Sequence, residues 1–266
     1  MLDIAIEKTN LPVSVYAEAP HVSRSANYSH VPTTNIVEWL GLEGFVPVSA
    51  SQAKVRKADR EGFQKHIVRF RQRGAVADKN GLFSEIILRN AHDGTGAVQV
   101  WAGLLRLLCL NGMAVSDSTF QNISIPHRGR NLADRILEAA HHVASVSIMA
   151  GETANAWSQI ELNYDNRFEL ARRALALRFP DIADSPIAPE QLLLVRRSGD
   201  AGNDAWRVFN RIQENLTRGG LVGLNKKDEK GAPKIRTLRA IRGADRDLKL
   251  NGELWHIADE FIREAA

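Results

Sequence analysis

Between residues 45 and 89 three extended runs follow one another too closely for helices to cross between them, and this spacing constrains the fold more than anything else in the chain. The first run is 45–52. In the second, 64–71, alternate positions put Lys65, Ile67, Arg69 and Arg71 on one face and His66, Val68 and Phe70 on the other, so one face reads as largely cationic. A glycine-containing connection over 73–81 leads into the third run, 83–89. Strands in such quick succession predict an antiparallel meander rather than parallel strands joined by helices. Ahead of them, Thr33-Thr34-Asn35 offers capping chemistry before Ile36, Val37, Trp39 and Leu40, which predicts a short helix ending at Gly41.

Residues 89–112 form an almost wholly apolar segment bracketed by polar and glycine clusters. The helical spacing of Val98, Trp101, Leu104, Leu105 and Leu108 predicts a helix over about 97–109. A short strand at 119–125 and an amphipathic helix over about 131–149 follow, the latter carried by Leu132, Ile136, Ala139, Val143 and Val146. Later helices are marked by Phe168, Ala171, Ala174 and Leu175, by Trp206, Phe209, Ile212, Gln213 and Leu216, and by Leu254, Ile257, Ala258 and Phe261. The fold class is α+β: a three-to-four-stranded antiparallel meander backed by helices, followed by a mainly helical C-terminal region. Three regions are expected: an arm over 1–31, an α+β core over 32–150, and a helical region over 151–266. A basic loop, 219–243, lies within the last of these and carries a hairpin near Lys230-Gly231.

With 266 residues, 44% of them hydrophobic, the chain can bury a sizeable core. Its one cysteine, Cys109, excludes an intramolecular disulfide and a cysteine-rich zinc site, and fits a reducing compartment. The amino terminus carries acidic residues early and lacks a long apolar run, so no secretory signal or membrane span is expected; the location expected is cytoplasmic, without a membrane partner. The net charge of +4 conceals a segregation. Residues 54–73 hold eight Lys/Arg against two acids, and 218–246 hold nine against three, so the rest of the chain is acidic. Two basic segments on an acidic body point to a polyanionic partner, DNA above all; solvated basic faces are the plain alternative.

Lys65, Arg69 and Arg71 at alternate strand positions would present cations about 6.6–7 Å apart, near the spacing of successive phosphates on an extended single strand. Lys54, Arg56, Lys57 and Arg60 extend that surface, and Lys226, Lys227, Lys230, Lys234 and Arg236 form a second one in the glycine-containing loop. Few aromatic residues lie in either, so phosphate contact rather than base stacking is the expected source of affinity. His92, Asp93 and His127 invite a second reading, a metal-dependent DNA nuclease, on residue type alone. The structural reading makes Asn90, His92, Asp93, Arg106 and Asn111 a polar network, with Asp93 bonding backbone amides beside a positive-φ Gly94, and with Arg106 paired to Asp93 or to a main-chain carbonyl. No cofactor or phosphate-cradling motif is present, so no cofactor and no resident metal is expected.

Asn90-Ala91-His92-Asp93-Gly94, followed by Gly103-Leu104-Leu105-Arg106-Leu107-Leu108-Cys109-Leu110-Asn111-Gly112 and by His127 before a helix, resembles a phage- and plasmid-borne family of unknown function. The likeness extends to Tyr28, Gly44-Phe45 and Trp206-Arg207-Val208-Phe209-Asn210. Where that family commonly reads Asn-Ser-His-Asp-Gly this chain has Ala91, which removes a hydroxyl nucleophile. The layout of a short helix, a meander with a basic face and a long helix also resembles the core of single-strand annealing proteins of the RecT and Redβ type. That resemblance implies an oligomer holding single-stranded DNA for annealing and recombination. A third class, a protein-binding inhibitor of host defence, is disfavoured by patches that are basic rather than DNA-like.

Overall fold

The computed structural model describes residues 10–55, 57–106, 111–115, 122–227 and 233–265, and within these the side chains of 111–115, 224–227, 233–234 and 244 fall outside the description. Two compact units divide the chain, residues 1–151 and 152–266.

The first unit is an α+β sheet domain. After a 3-10 turn at Val13–Tyr16, helix α1 (Thr33–Leu42) precedes strands β1 (Phe45–Gln52), β2 (His66–Gln72), β3 (Leu82–Asn90), β4 (Val98–Arg106), β5 (Asn111–Val115) and β6 (Ile123–Ile125). The sheet is antiparallel in the order β1-β2-β3-β4-β5, and β6 pairs with β4 beside the end where β4 begins. The meander expected from spacing is therefore present, with more strands. The helix expected over 97–109 is instead β4 as far as Arg106, its register running from Leu82↔Arg106 to Arg89↔Gln99 against β3.

Burial on both faces explains the difference. Ser84 donates to the Ser147 carbonyl of α2 (Leu132–Trp157), which fixes one face of β3. Cross-strand partners share a face, so Ile86 and Leu88 are joined there by Val68, Phe70, Val100, Ala102 and Leu104, all buried. On the opposite face Ile67, Phe83, Ile87 and Trp101 are buried too. A strand covered on both sides reads as a continuous apolar run, and periodicity then cannot separate it from a helix.

Helix α2 starts near the expected position but runs on to Trp157, so that its last six residues belong to the second unit. That unit adds α3 (Tyr164–Ala176), α4 (Ala205–Arg218), the hairpin strands β7 (Val222–Lys227) and β8 (Pro233–Thr237), and α5 (Ala244–Ala265). Trp157, Trp206, Phe209 and Trp255 form its aromatic centre, with Trp157 and Trp255 stacked at 4.7 Å between centroids. Asp204 caps α4 by accepting from the Arg207 amide, and Gly219 ends it at φ +64°, where a Cβ would stand 2.5 Å from the Leu238 carbonyl oxygen. The expected hairpin within the basic loop is β7–β8, whose register sets Lys226 opposite Lys234. No described helix is long and apolar enough to cross a membrane.

Candidate functional site

An antiparallel sheet brings alternate strand ends together, and at one end of this sheet three loops and the arm converge. The end of β1, the start of β2, the end of β3 and the start of β4 meet there, since Gln52 pairs with His66, His66 with Asn90, and Arg89 with Gln99. The β6 pairing of Val98 with Ile125 adds the loop that follows Ile125. The arm lies across this end through backbone bonds from the His21 amide to the His92 carbonyl and from the Ser29 amide to the His127 carbonyl.

Beneath the arm is a cluster of four histidines, His30, His66, His92 and His127. His92 lies 4.8 Å from His30 and 5.2 Å from His66 between ring centroids, and Tyr28 stacks on His127 at 4.7 Å. The hydrogen bonds set the proton positions. His66 Nδ1 faces the Gln64 carbonyl at 3.0 Å and so donates, which leaves Nε2 to accept from the Thr33 hydroxyl at 2.8 Å. Thr33 Oγ1 in turn accepts from Asn90 Nδ2 at 2.9 Å and from His92 Nε2 at 3.1 Å. His92 Nδ1 is then an unprotonated, buried lone pair with no partner, and His30 Nδ1 is another, because His30 Nε2 donates to the Ala17 carbonyl. Asn90 Oδ1 accepts from the Ala91 amide and from His127 Nε2.

Burial drives all four imidazoles towards the neutral form: His66 is pushed down to about 4 and His92 to about 2, and His30 and His127 are lowered as well. Burial likewise raises Tyr28 to about 12, its hydroxyl donating to the Ala91 carbonyl at 3.1 Å.

Of the expected polar network, Asn90, His92 and His127 do come together. Asp93 turns the other way, accepting from the Thr95 amide at 2.9 Å, the Thr95 hydroxyl at 2.6 Å and Arg60 at 3.3 Å, with Gly94 at φ +74° as the turn requires. Burial opposes the Asp93 charge, but the Thr95 and Arg60 bonds outweigh it and hold the carboxyl below its ordinary value. The expected pairing of Arg106 with Asp93 is corrected: Arg106 ends β4 and Asp93 precedes its start, about 26 Å away along an extended strand. The Asn111 side chain lies outside the described residues.

His92, Asp93 and His127 do not converge as a ligand set, since the Nε2 atoms of the histidines are taken by Thr33 and Asn90 and the carboxylate by Thr95 and Arg60. Among the described residues no group of three or more His, Cys, Asp or Glu side chains is placed to hold a metal ion. Thr33, expected as a cap, is instead the first residue of α1; Pro32 occupies the cap position without a side-chain bond. His66, His30 and Thr33 were not expected at the site, because local spacing carries no sign of a contact between residues this far apart.

The expected cations divide into two groups. Arg69 and Arg71 both turn onto the buried carboxylate of Glu85, at 3.1 and 2.7 Å, and Arg71 also lies over the Phe83 ring. Their side chains are only 16% and 11% exposed, so the ladder of solvated cations expected on β2 is corrected to a buried ion cluster. Lys54 and Lys57 are exposed in the β1–β2 loop, Arg60 is half-buried against Asp93, and Lys65 is half-buried. Arg128 and Arg130 are exposed beyond His127, and Arg24 lies so close over Gly94 that a Cβ there would meet its guanidinium. These three were missed because none of them stands in a long basic run. Arg56 and Lys230 lie outside the described residues, as do the side chains of Lys226, Lys227 and Lys234; Arg236 donates to the Asp184 carbonyl at 3.3 Å.

The model of a family described as Domain of unknown function (DUF932) matches residues 20–255. The chain belongs to the DUF932 family. The DUF932 match takes in the histidine cluster and the Asn90–Gly94 motif. Among relatives, the UPF0380 proteins YafZ and YfjQ of Escherichia coli K12 are similar to this chain at 37% and 36% identity over 251 residues, spanning 94% of the chain and 88% of each relative. No solved structure matches.

Proposed function

We propose that this protein binds nucleic acid through phosphate contacts at the histidine end of its sheet, with single-stranded DNA as the ligand. The observation that carries this reading is the convergence of cations from separate segments of the chain: exposed Lys54 and Lys57 from the β1–β2 loop, exposed Arg128 and Arg130 from the loop after β6, and half-buried Arg24 from the arm. Asp59 and Glu61 lie among them, so the surface is a positively biased rim rather than a uniform patch. Phosphate contacts made from several loops suit a flexible single strand, whose backbone can follow them. Oligomerisation, and with it annealing or recombination, is the fuller form of the proposal, since one subunit's rim reaches few phosphates and several in a ring would multiply them.

An electrophoretic mobility series with labelled single- and double-stranded DNA, with and without Mg²⁺, tests it. Retardation of the single strand without Mg²⁺ or cleavage is the expected result, with light scattering giving a mass several times 29.5 kDa. Cleavage that requires Mg²⁺ would favour a nuclease, and no retardation of either DNA would leave a protein partner as the better reading.

A further inference from the structure

The seat of the arm is built from neutral histidines, none of them bonded to a carboxylate, and two of them, His30 and His92, carry a buried Nδ1 without an acceptor. We propose that residues 17–32 form an acid-released latch, held against the sheet end while His30, His66 and His92 are neutral and let go when they take up protons.

The geometry makes the closed state intolerant of protonation. A proton on His66 Nε2 would face the Thr33 hydroxyl hydrogen, so the Thr33 bond must be rebuilt, and with it the bonds from His92 and Asn90 that end on the same oxygen. A proton on His92 Nδ1 or His30 Nδ1 would enter a buried position without an acceptor. The groups around them add no compensation. From the arm come Tyr28, Arg24 and His21, from β2 His66, from β3 Arg89 and Asn90, from α1 Thr33, and from the following loops Asp93 and His127. Asp93 is already held by Thr95 and Arg60, and none of the four imidazoles is bonded to a carboxylate. Depressed basicity at all four histidines agrees with this.

The arm is tied by single, separate bonds. They run from the His21 amide to the His92 carbonyl, from the Ser29 amide to the His127 carbonyl, from the Tyr28 hydroxyl to the Ala91 carbonyl, from the Ser29 hydroxyl to the Gly129 carbonyl and from Asn90 Nδ2 to the Val31 carbonyl, and His127 Nδ1 lies 3.3 Å from the Ser29 carbonyl. Lifting it removes Tyr28 and His30 from the cluster and gives His92 and His127 to solvent, where an imidazole titrates near its ordinary 6.5. For His92, held neutral in the closed state well below pH 5, the lifted state is favoured by about thirty-fold between pH 7.5 and pH 5.0. Two or more acting together make release steep in pH. The inference is independent of any nucleic-acid binding.

Hydrogen–deuterium exchange of the full chain at pH 7.5 and pH 5.0, corrected for the intrinsic pH dependence of amide exchange, is the test. Peptides covering 17–32 should lose protection by thirty-fold or more at pH 5.0, while those from β2 to β4 and from α3 to α5 keep theirs. In His92→Gln, which retains a donor for Thr33 but cannot titrate, the pH response of the arm should shrink by about thirty-fold. Unchanged protection of the arm at pH 5.0 overturns the proposal. So does loss of protection in arm, sheet and helices together, or a full pH response in His92→Gln.

Discussion

Asn90 donates to the Thr33 hydroxyl at 2.9 Å across a sequence separation of 57 residues, and this bond joins the start of α1 to the end of β3. Both side chains are fully buried, and the same hydroxyl serves two histidines. Thr33→Val keeps the shape and removes the node, leaving His66 Nε2, His92 Nε2 and Asn90 Nδ2 short of a partner. A buried polar group without a partner costs about 1–3 kcal/mol, so the variant should lose at least about 2 kcal/mol in urea unfolding, and Thr33→Ser should lose much less. Equal stability of the valine variant would mean that the network is not a structural node.

Glu85 balances two arginines on the buried face of β2 and β3. Glu85→Gln takes the carboxylate away from Arg69 and Arg71, and removing one partner of a buried ion cluster costs about 3–5 kcal/mol. The first unit should therefore melt earlier, with Trp-centred signals of the second unit as an internal comparison. A melting point unchanged in Glu85→Gln would show that the arginines are free to serve solvent or a ligand.

The strand β4 shows how far the sequence could be read. Val98, Trp101 and Leu104 fit a helical stripe as well as they fit a strand buried on both faces, and only the pairing with β3 distinguishes the two. The β1–β3 meander was legible because three extended runs follow one another closely, although the alternation of Arg69 and Arg71 with Val68 and Phe70 did not reveal that the arginines would be covered and paired. At the site, Asn90, His92 and Asp93 were visible as a polar cluster ending an apolar strand. Thr33, His30 and His66 were not, because they meet His92 only through the antiparallel register and the return of the arm. Arg24, Arg128 and Arg130 likewise stand in no basic run.

Stability should fall with acid, in a direction fixed by the histidines. Their folded-state values lie below the ordinary 6.5, so their contribution is complete above that value and is lost as pH falls through it; for His66 the loss continues down to about 4. Each histidine held neutral in the fold adds a slope of about 1.4 kcal/mol per pH unit inside that window. Urea unfolding monitored at pH 7.5, 6.0 and 5.0 should show the steepest decline below pH 6.5, and a flat profile there would contradict the buried, neutral assignment of His66 and His92.

Gly219 closes α4 in a conformation open to glycine, hard against the Leu238 carbonyl. Gly219→Ala adds both a left-handed backbone penalty and a backbone clash, and should destabilise the second unit by more than about 1 kcal/mol. Differential scanning calorimetry would register this as an earlier transition; an unshifted thermogram would mean that the β8–α5 connection yields easily.

The central claim is that the exposed cations at the histidine end of the sheet bind the phosphates of a single strand. Fluorescence anisotropy of a labelled single-stranded oligonucleotide, titrated over a range of salt concentrations, measures it directly. Wild type should show an affinity that falls with salt at a slope of about −0.7 per phosphate contacted. The variant with Lys54, Lys57, Arg128 and Arg130 all replaced by Ala changes only exposed side chains, so it should fold as wild type does and bind more weakly with a flatter slope. Identical affinity and slope for the two proteins, or no binding by wild type at low salt, would contradict the account.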